Sequence, residues 1–350
     1  MRVLVVGGTG LISSEFAALA VERGDDVTLI NRGTSLLPAP AGAKVIHADA
    51  TDAAALRGAL HGSRLRRERW DAVVQFIAFT PDHVEADLET FAPLAERYVL
   101  VATSAAYRKF ERLHPLTEDT EQENLYWQYA RDKIACEEVL RGASGSVPWT
   151  IVRPAHTYGR SRIPAFTGNS RHPWTIVDRM RRGADIVLPG DGTSLWTITH
   201  ARDVAAGMLG LLSAPDAVGR AVHITSDEAL TWRGLYREIA RAAGLSDEAF
   251  DGLCVSVPSD ALVAAAPSQA GSIYGDKMHN AVYDTSLIKE LVPGWEARVT
   301  FAEGIREAVA WFEADPSRQS VDEQANAMFD RLAAIYRRAL RESSPSESAQ

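Results

Sequence analysis

The sequence predicts an α/β fold: a doubly wound parallel sheet with a smaller C-terminal α/β lobe. Three observations predict it. First, short apolar runs at residues 2–6, 27–30, 44–47, 71–78 and 98–102 alternate with helical periodicity at 15–23, 53–60 and 83–97, the pattern of consecutive βαβ units. Second, a glycine-rich turn, Gly7-Gly-Thr-Gly10, separates the first strand from the first helix. Third, the run ending at Ala102 gives way to Thr103 and Ser104, small hydroxyl residues at the carboxyl end of a strand. Open α/β sheets bind their ligands at that end.

Taken in order, Gly7 permits the tight turn after the first strand, and Gly10 lets a pyrophosphate approach backbone N–H groups at a helix N-terminus. Strand, glycine turn, helix and second strand within about 30 residues make a dinucleotide site of Gly7, Thr9, Gly10, Leu11 and Ile12. Ser13 stands where a third glycine is usual, which predicts a helix set slightly farther off or rotated. The second strand ends Asn31-Arg32. An acid there would hold a ribose 2′-hydroxyl, whereas Arg32 offers a guanidinium suited to a 2′-phosphate. NADP is therefore favoured, with NAD possible. Asp49 and Asp52 follow the third strand as adenine contacts or as turn formers.

Farther on, Tyr129 and Lys133 stand four residues apart in a helical pattern and so share a face. A phenol titrates near pH ~10, and a neighbouring ammonium favours its ionised form. A hydroxyl, a phenol and a lysine make an acid/base unit for an alcohol or ketone oxygen. The spacing alone also fits an ordinary amphipathic helix; its context in the chain gives it weight.

Composition narrows the rest. With 46% hydrophobic and 24% charged residues, the 350-residue chain reads as globular, large enough for two lobes. A net charge of −9 argues against nucleic acid as the main partner, since phosphate backbones need concentrated Lys and Arg. Two cysteines, Cys136 and Cys254, give no disulfide framework, and no metal-ligand spacing is present, so no metal is expected. No apolar run approaches the ~18 residues of a membrane span. Met1 leads straight into a strand without a secretory pattern. A cytoplasmic location is expected.

These motifs together resemble the extended short-chain dehydrogenases/reductases, the NAD-dependent epimerase/dehydratase group. The resemblance rests on Gly7-Gly-Thr-Gly-Leu-Ile12, Asp49-Ala50, Thr103-Ser-Ala-Ala-Tyr107, Tyr129-x-x-x-Lys133, Arg153-Pro154 and Gly190-Asp-Gly192 followed by His200-x-x-Asp203. It implies a Rossmann-type fold, with Tyr129, Lys133 and Thr103 catalytic and Lys133 also on the nicotinamide ribose. It puts Asp49 and Ala50 beside the adenine, Phe76, Ile77 and Ala78 along the cofactor, and Pro154 among the cofactor contacts. Ser104, His156 and Trp196 become substrate contacts, although His156 is equally read as a satisfied strand-end residue. Dehydratases of the group follow the Thr with an Asp-Glu pair; Ser104-Ala105 disfavour dehydration here. Trp196 stands where nucleotide-sugar enzymes of the group carry a phosphate-gripping Arg, and an indole can stack but cannot pair with phosphate.

The expected protein is an NAD(P)-dependent epimerase or oxidoreductase acting at a secondary alcohol of a sugar or nucleotide-sugar. A ketoreductase of a small polyol or keto-sugar is the first alternative, and a non-catalytic cofactor-sensing or RNA-binding protein the second. A homodimer through helices 83–97 and 129–141 is expected by analogy. Residues 1–155 with about 196–225 are expected to form the dinucleotide domain, and about 156–195 with 226–341 the substrate lobe. Within that lobe helices are expected at 174–182, 231–243, 301–314 and 321–341 and strands at 186–188, 254–258 and 281–283; residues 342–350 are expected to be a disordered tail.

Overall fold

Alternate residues of β1 (Arg2–Val6) face opposite ways, and both ways are apolar. Val3 and Val5 join one buried cluster, Leu4 and Val6 another. A strand covered on both faces needs such a continuous hydrophobic run, and this is the signature of a parallel sheet with helices on either side. The computed structural model bears this out. It describes residues 1–35, 37–62, 69–109, 115–143, 145–167 and 171–343.

The chain divides into two units: Met1–Thr157 with Thr197–Asp227 and Tyr283–Arg298, and Tyr158–Trp196 with Glu228–Val282 and Val299–Gln350. In the first, β1 is central to a seven-stranded sheet. Beyond it on one side lie β2 (Asp26–Asn31) and β3 (Lys44–His47). On the other lie β4 (Ala72–Gln75), β5 (Tyr98–Val101), β6 (Trp149–Pro154) and a last strand, Ala221–Ile224. Every pairing is parallel. One face buries Phe16 of α1 (Leu11–Glu22), Met208 of the helix Ala201–Leu212 and Ile288 of the helix Ser286–Leu291. The other buries Leu56 of α2 (Ala53–Gly62), Val84 of α3 (Pro81–Phe91) and Leu140 of α4 (Gln128–Gly142). The sheet is doubly wound.

One ion pair locks α4 to the sheet. Arg153 of β6 and Glu137 of α4 are both 1% exposed. The guanidinium donates from Nε to Glu137 Oε1 at 2.9 Å and from its second nitrogen to Oε2 at 2.6 Å. Arg153 also donates to the Tyr107 hydroxyl at 3.1 Å. That hydroxyl lies 3.1 Å from His223 Nδ1, while Nε2 of the same ring is 2.5 Å from the Asp284 carbonyl. A carbonyl only accepts, so Nε2 carries the proton and Tyr107 donates to Nδ1. Burial lowers the His223 pKa to about 4, which keeps the ring neutral.

Four expectations shift. The helix at 83–97 stops at Phe91, because the backbone at residues 94–96 is drawn out to pair with Trp70 (Trp70 N–H to Leu94 O 2.7 Å, Glu96 N–H to Trp70 O 2.9 Å). Residues 283–298, expected in the substrate lobe, belong to the first unit. The second unit is mainly helical, with Thr175–Arg181, Trp232–Ala242, Phe301–Glu313 and Glu323–Ser343 among its helices; its parallel strands Ile186–Pro189 and Cys254–Val257 pair with each other. In place of a strand at 281–283 there are isolated bridges at Ala281 and Tyr283. The tail from residue 344 lies outside the described residues. No described helix is long and apolar enough to cross a membrane.

Removing one partner of a buried ion pair leaves an uncompensated charge. Glu137→Gln is therefore expected to lower unfolding stability by about 3–5 kcal/mol, read as a lower urea midpoint at unchanged slope.

Candidate active site

The glycine turn is shaped by close approach. Gly7 has φ +84°, and a Cβ there would lie 2.6 Å from Ile77 Cγ2. Only glycine takes that backbone without strain. Ser13 fills the place of the missing third glycine in its own way. It is 1% exposed; its hydroxyl donates to the Gly7 carbonyl at 2.6 Å and accepts the Gly10 N–H at 2.8 Å. This stitches the turn to the first helical turn, so the serine replaces close packing with hydrogen bonds. The Gly10 N–H is thereby taken up. The donors left for a pyrophosphate are those of Leu11 and Ile12, which have no intrahelical partner in a first helical turn. Thr9 turns its carbonyl to the Ser35 hydroxyl at 2.6 Å. The cradle fits a dinucleotide.

At the end of β2, Asn31 is 8% exposed and its side-chain oxygen accepts the Gly33 N–H at 2.9 Å. That oxygen is thus occupied. Arg32 is 67% exposed, with its guanidinium 3.8 Å from Asp49 Oδ2. Asp49 itself accepts the Thr51 N–H and hydroxyl at 3.0 and 2.7 Å, which with Arg32 hold its carboxyl below the usual range. Ala50 is buried beside it.

The loop after β4 carries Phe76, Ile77 and Ala78. The Phe76 N–H bonds to Val6 O at 3.0 Å, and the Ile77 N–H to the Gln75 side-chain oxygen at 2.7 Å. Gln75 in turn donates to Asp87 Oδ2 at 2.6 Å, which also accepts the Tyr98 hydroxyl at 2.8 Å. Burial raises the Asp87 carboxyl to about 7. Reading the sequence for exposed motifs missed Gln75, Asp87 and Tyr98; the only available signal was an acid on the apolar side of α3.

Lys133 joins the loop to strand β5. It is 2% exposed, and Nζ donates to Ala78 O at 2.7 Å and Val101 O at 2.9 Å. Phe79 lies over it, 5.1 Å from ring centroid to nitrogen. Burial lowers its pKa to about 8. Tyr129 sits one turn earlier on α4, half-buried, its ring 4.9 Å from that of Trp127. Thr103 is two residues beyond Val101. Its Oγ1 accepts the Ala105 N–H at 3.2 Å, capping the short helix Ser104–Ala106. An oxygen that accepts there keeps its own O–H to donate elsewhere.

Other expected contacts fall differently. Ser104 is 3% exposed and its hydroxyl is bonded to that of Tyr283 at 2.8 Å, so it braces the strand end and does not face a substrate. Trp196 is 2% exposed and donates its indole N–H to His279 O at 2.9 Å, so it is core of the second unit and cannot stack on a ligand. His156 is half-buried in the short strand His156–Tyr158, and Pro154 ends β6 in register with Ile224.

The profile of the NAD dependent epimerase/dehydratase family matches residues 3–225. The chain belongs to this family. A 2′-dehydrokanamycin reductase of Streptomyces kanamyceticus is 28% identical over 301 residues, covering 85% of this chain and 81% of that protein. A chloroplast stem-loop binding protein of 41 kDa from Arabidopsis thaliana is 26% identical over 259 residues, 70% of this chain and 64% of that one. The UDP-glucose 4-epimerase of Bifidobacterium longum, solved with NAD+ and UDP, shares the fold with a TM-score of 0.69 at 18% identity, over 91% of this chain and 100% of that one. The chain is thus an NAD(P)-dependent oxidoreductase or epimerase of this family.

Two outcomes are expected from this geometry. Gly7→Ala must move Ile77 and strain its own backbone by roughly 1–3 kcal/mol, so NADPH affinity measured by titration calorimetry should fall about tenfold or more. Lys133 is protonated below about pH 8 and neutral above it. kcat/KM is therefore expected to fall as pH rises through that value, and in Lys133→Arg this alkaline limb should move upward.

Proposed function

We propose that the chain transfers a hydride between NADP(H) and a secondary alcohol or ketone carbon of a sugar-like substrate, using Thr103, Tyr129 and Lys133. The observation that carries this reading is the Lys133 ammonium, bonded both to the loop expected along the cofactor and to the last residue of β5, two residues before Thr103. The bound dinucleotide supplies the hydride donor or acceptor. In the oxidation direction, the Lys133 ammonium favours the ionised phenol of Tyr129, which takes the substrate hydroxyl proton. Thr103, whose oxygen already accepts from Ala105, donates its O–H to the same substrate oxygen and stabilises charge there. In reduction the proton moves back from Tyr129 to the forming alkoxide.

NADP is supported by the occupied Asn31 oxygen and the exposed Arg32 guanidinium. Ketone reduction is supported by the likeness to a reductase over most of both chains, and by a buried indole where nucleotide-sugar enzymes grip phosphate. Epimerisation, in which hydride returns to the other face, is the second reading; it draws on the family and on the fold shared with an epimerase. The homodimer comes from the family resemblance, with Leu125 and Tyr126, 63% and 52% exposed just before α4, as supporting apolar surface.

The test follows NADPH absorbance with keto-sugar substrates. Steady consumption is expected from the parent protein, and Tyr129→Phe should lose nearly all turnover with similar NADPH affinity. Near-normal turnover in that variant would remove the acid/base assignment. Arg32→Ala should weaken NADPH more than NADH.

A further inference from the structure

We propose that Arg162 and Lys277, in the second unit, form a binding site for one carboxylate or phosphate group.

Lys277 closes a single π-helical turn, Ile273–Lys277, marked by the Met278 N–H bonding to Ile273 O at 3.0 Å. Such turns are rare and concentrate at functional sites. Its Nζ donates to Ala165 O at 3.1 Å and Phe166 O at 2.8 Å. An ammonium has three protons, so one remains. Aromatic packing holds both partners. The Trp232 indole donates to Lys277 O at 3.3 Å, the Tyr236 hydroxyl accepts the Phe166 N–H at 3.0 Å, and the Phe166 and Trp232 rings meet edge to face at 5.1 Å. The lysine is built into place.

Arg162 stands three residues before Ala165, on a turn in which its N–H bonds to Gly159 O at 2.8 Å. Among the described residues, its guanidinium has no hydrogen bond or ion pair. The segment that carries it is the one that clamps the Lys277 ammonium, through the Ala165 and Phe166 carbonyls, and burial lowers the guanidinium's pKa. Burial lowers Lys277 to about 8, with Asp276 opposing and Arg162 adding to the effect. Two desolvated cations that repel each other gain most from a shared anion. A guanidinium fork with a point-charge ammonium is the donor set for a carboxylate or phosphate. Arg162, partly exposed, remains accessible to it.

The test is direct binding of inorganic phosphate and of malonate to the full chain, by titration calorimetry. Saturable binding is expected, weakened about tenfold or more in Arg162→Gln, and retained in Arg32→Ala, which lies in the dinucleotide cradle. Lys277→Gln should behave like Arg162→Gln; if it fails to fold, the partly exposed Arg162 variant alone decides. Tighter phosphate identifies a phosphate group as the ligand, and tighter malonate a carboxylate. Equal affinity in parent and Arg162→Gln, loss confined to Arg32→Ala, or no saturable binding of either anion overturns the proposal. Binding is read without turnover. Anion binding in a protein that reduces no ketone would leave this site standing and remove only the functional reading.

Discussion

A buried ammonium joins the loop after β4 to strand β5. Lys133 gives its protons to the carbonyls of Ala78 and Val101, and each carbonyl ends a segment that would otherwise be free to shift. Burial of a cation is unfavourable unless its donors are satisfied, so loop, strand and helix α4 must keep their mutual positions for the charge to be tolerated. The Arg153–Glu137 pair supports the same helix one turn later. Lys133 and Glu137 are four residues apart on one face, so a single helical stripe carries both the buried ammonium and the buried ion pair.

Much of the fold was legible because parallel strands buried on both faces need uninterrupted apolar runs. Residues 2–6 and 98–102 announce themselves that way. The candidate site was legible where the backbone demands a shape, as at Gly7; the Tyr129 and Lys133 spacing puts both residues on α4. What could not be read depends on partners distant in sequence. Ser104 looks like a substrate contact until Tyr283, nearly 180 residues away, takes its hydroxyl. Trp196 looks like a stacking platform until Trp232 and the His279 carbonyl enclose it. Helix α3 ends early because Trp70 draws residues 94–96 into strand-like pairing, a competition invisible to local periodicity.

Two departures from the family pattern show different kinds of substitution. Ser13 keeps the function of a glycine by other means, its hydroxyl bridging Gly7 and Gly10 where close contact would otherwise serve. Trp196 does not keep the function of the arginine it stands for, because an indole in the core offers nothing to an anion. The second unit carries two other cations, one on the turn after Tyr158 and one at the end of a π-helical turn.

The Asp87 carboxyl, enclosed by Gln75 and Tyr98, has a thermodynamic consequence of its own. Most acids in proteins are held below their unfolded pKa and weaken the fold as pH drops. Asp87 is held above, at about 7, so between roughly pH 4 and 7 the folded chain keeps a proton that the unfolded chain releases. By linkage, its contribution to stability is fully present in acid and is lost as pH rises through 7. The loop after β4 is thus braced by a group that favours the folded state more as the surroundings become more acidic, opposite in sign to a carboxylate such as Asp49, which is held below its usual range.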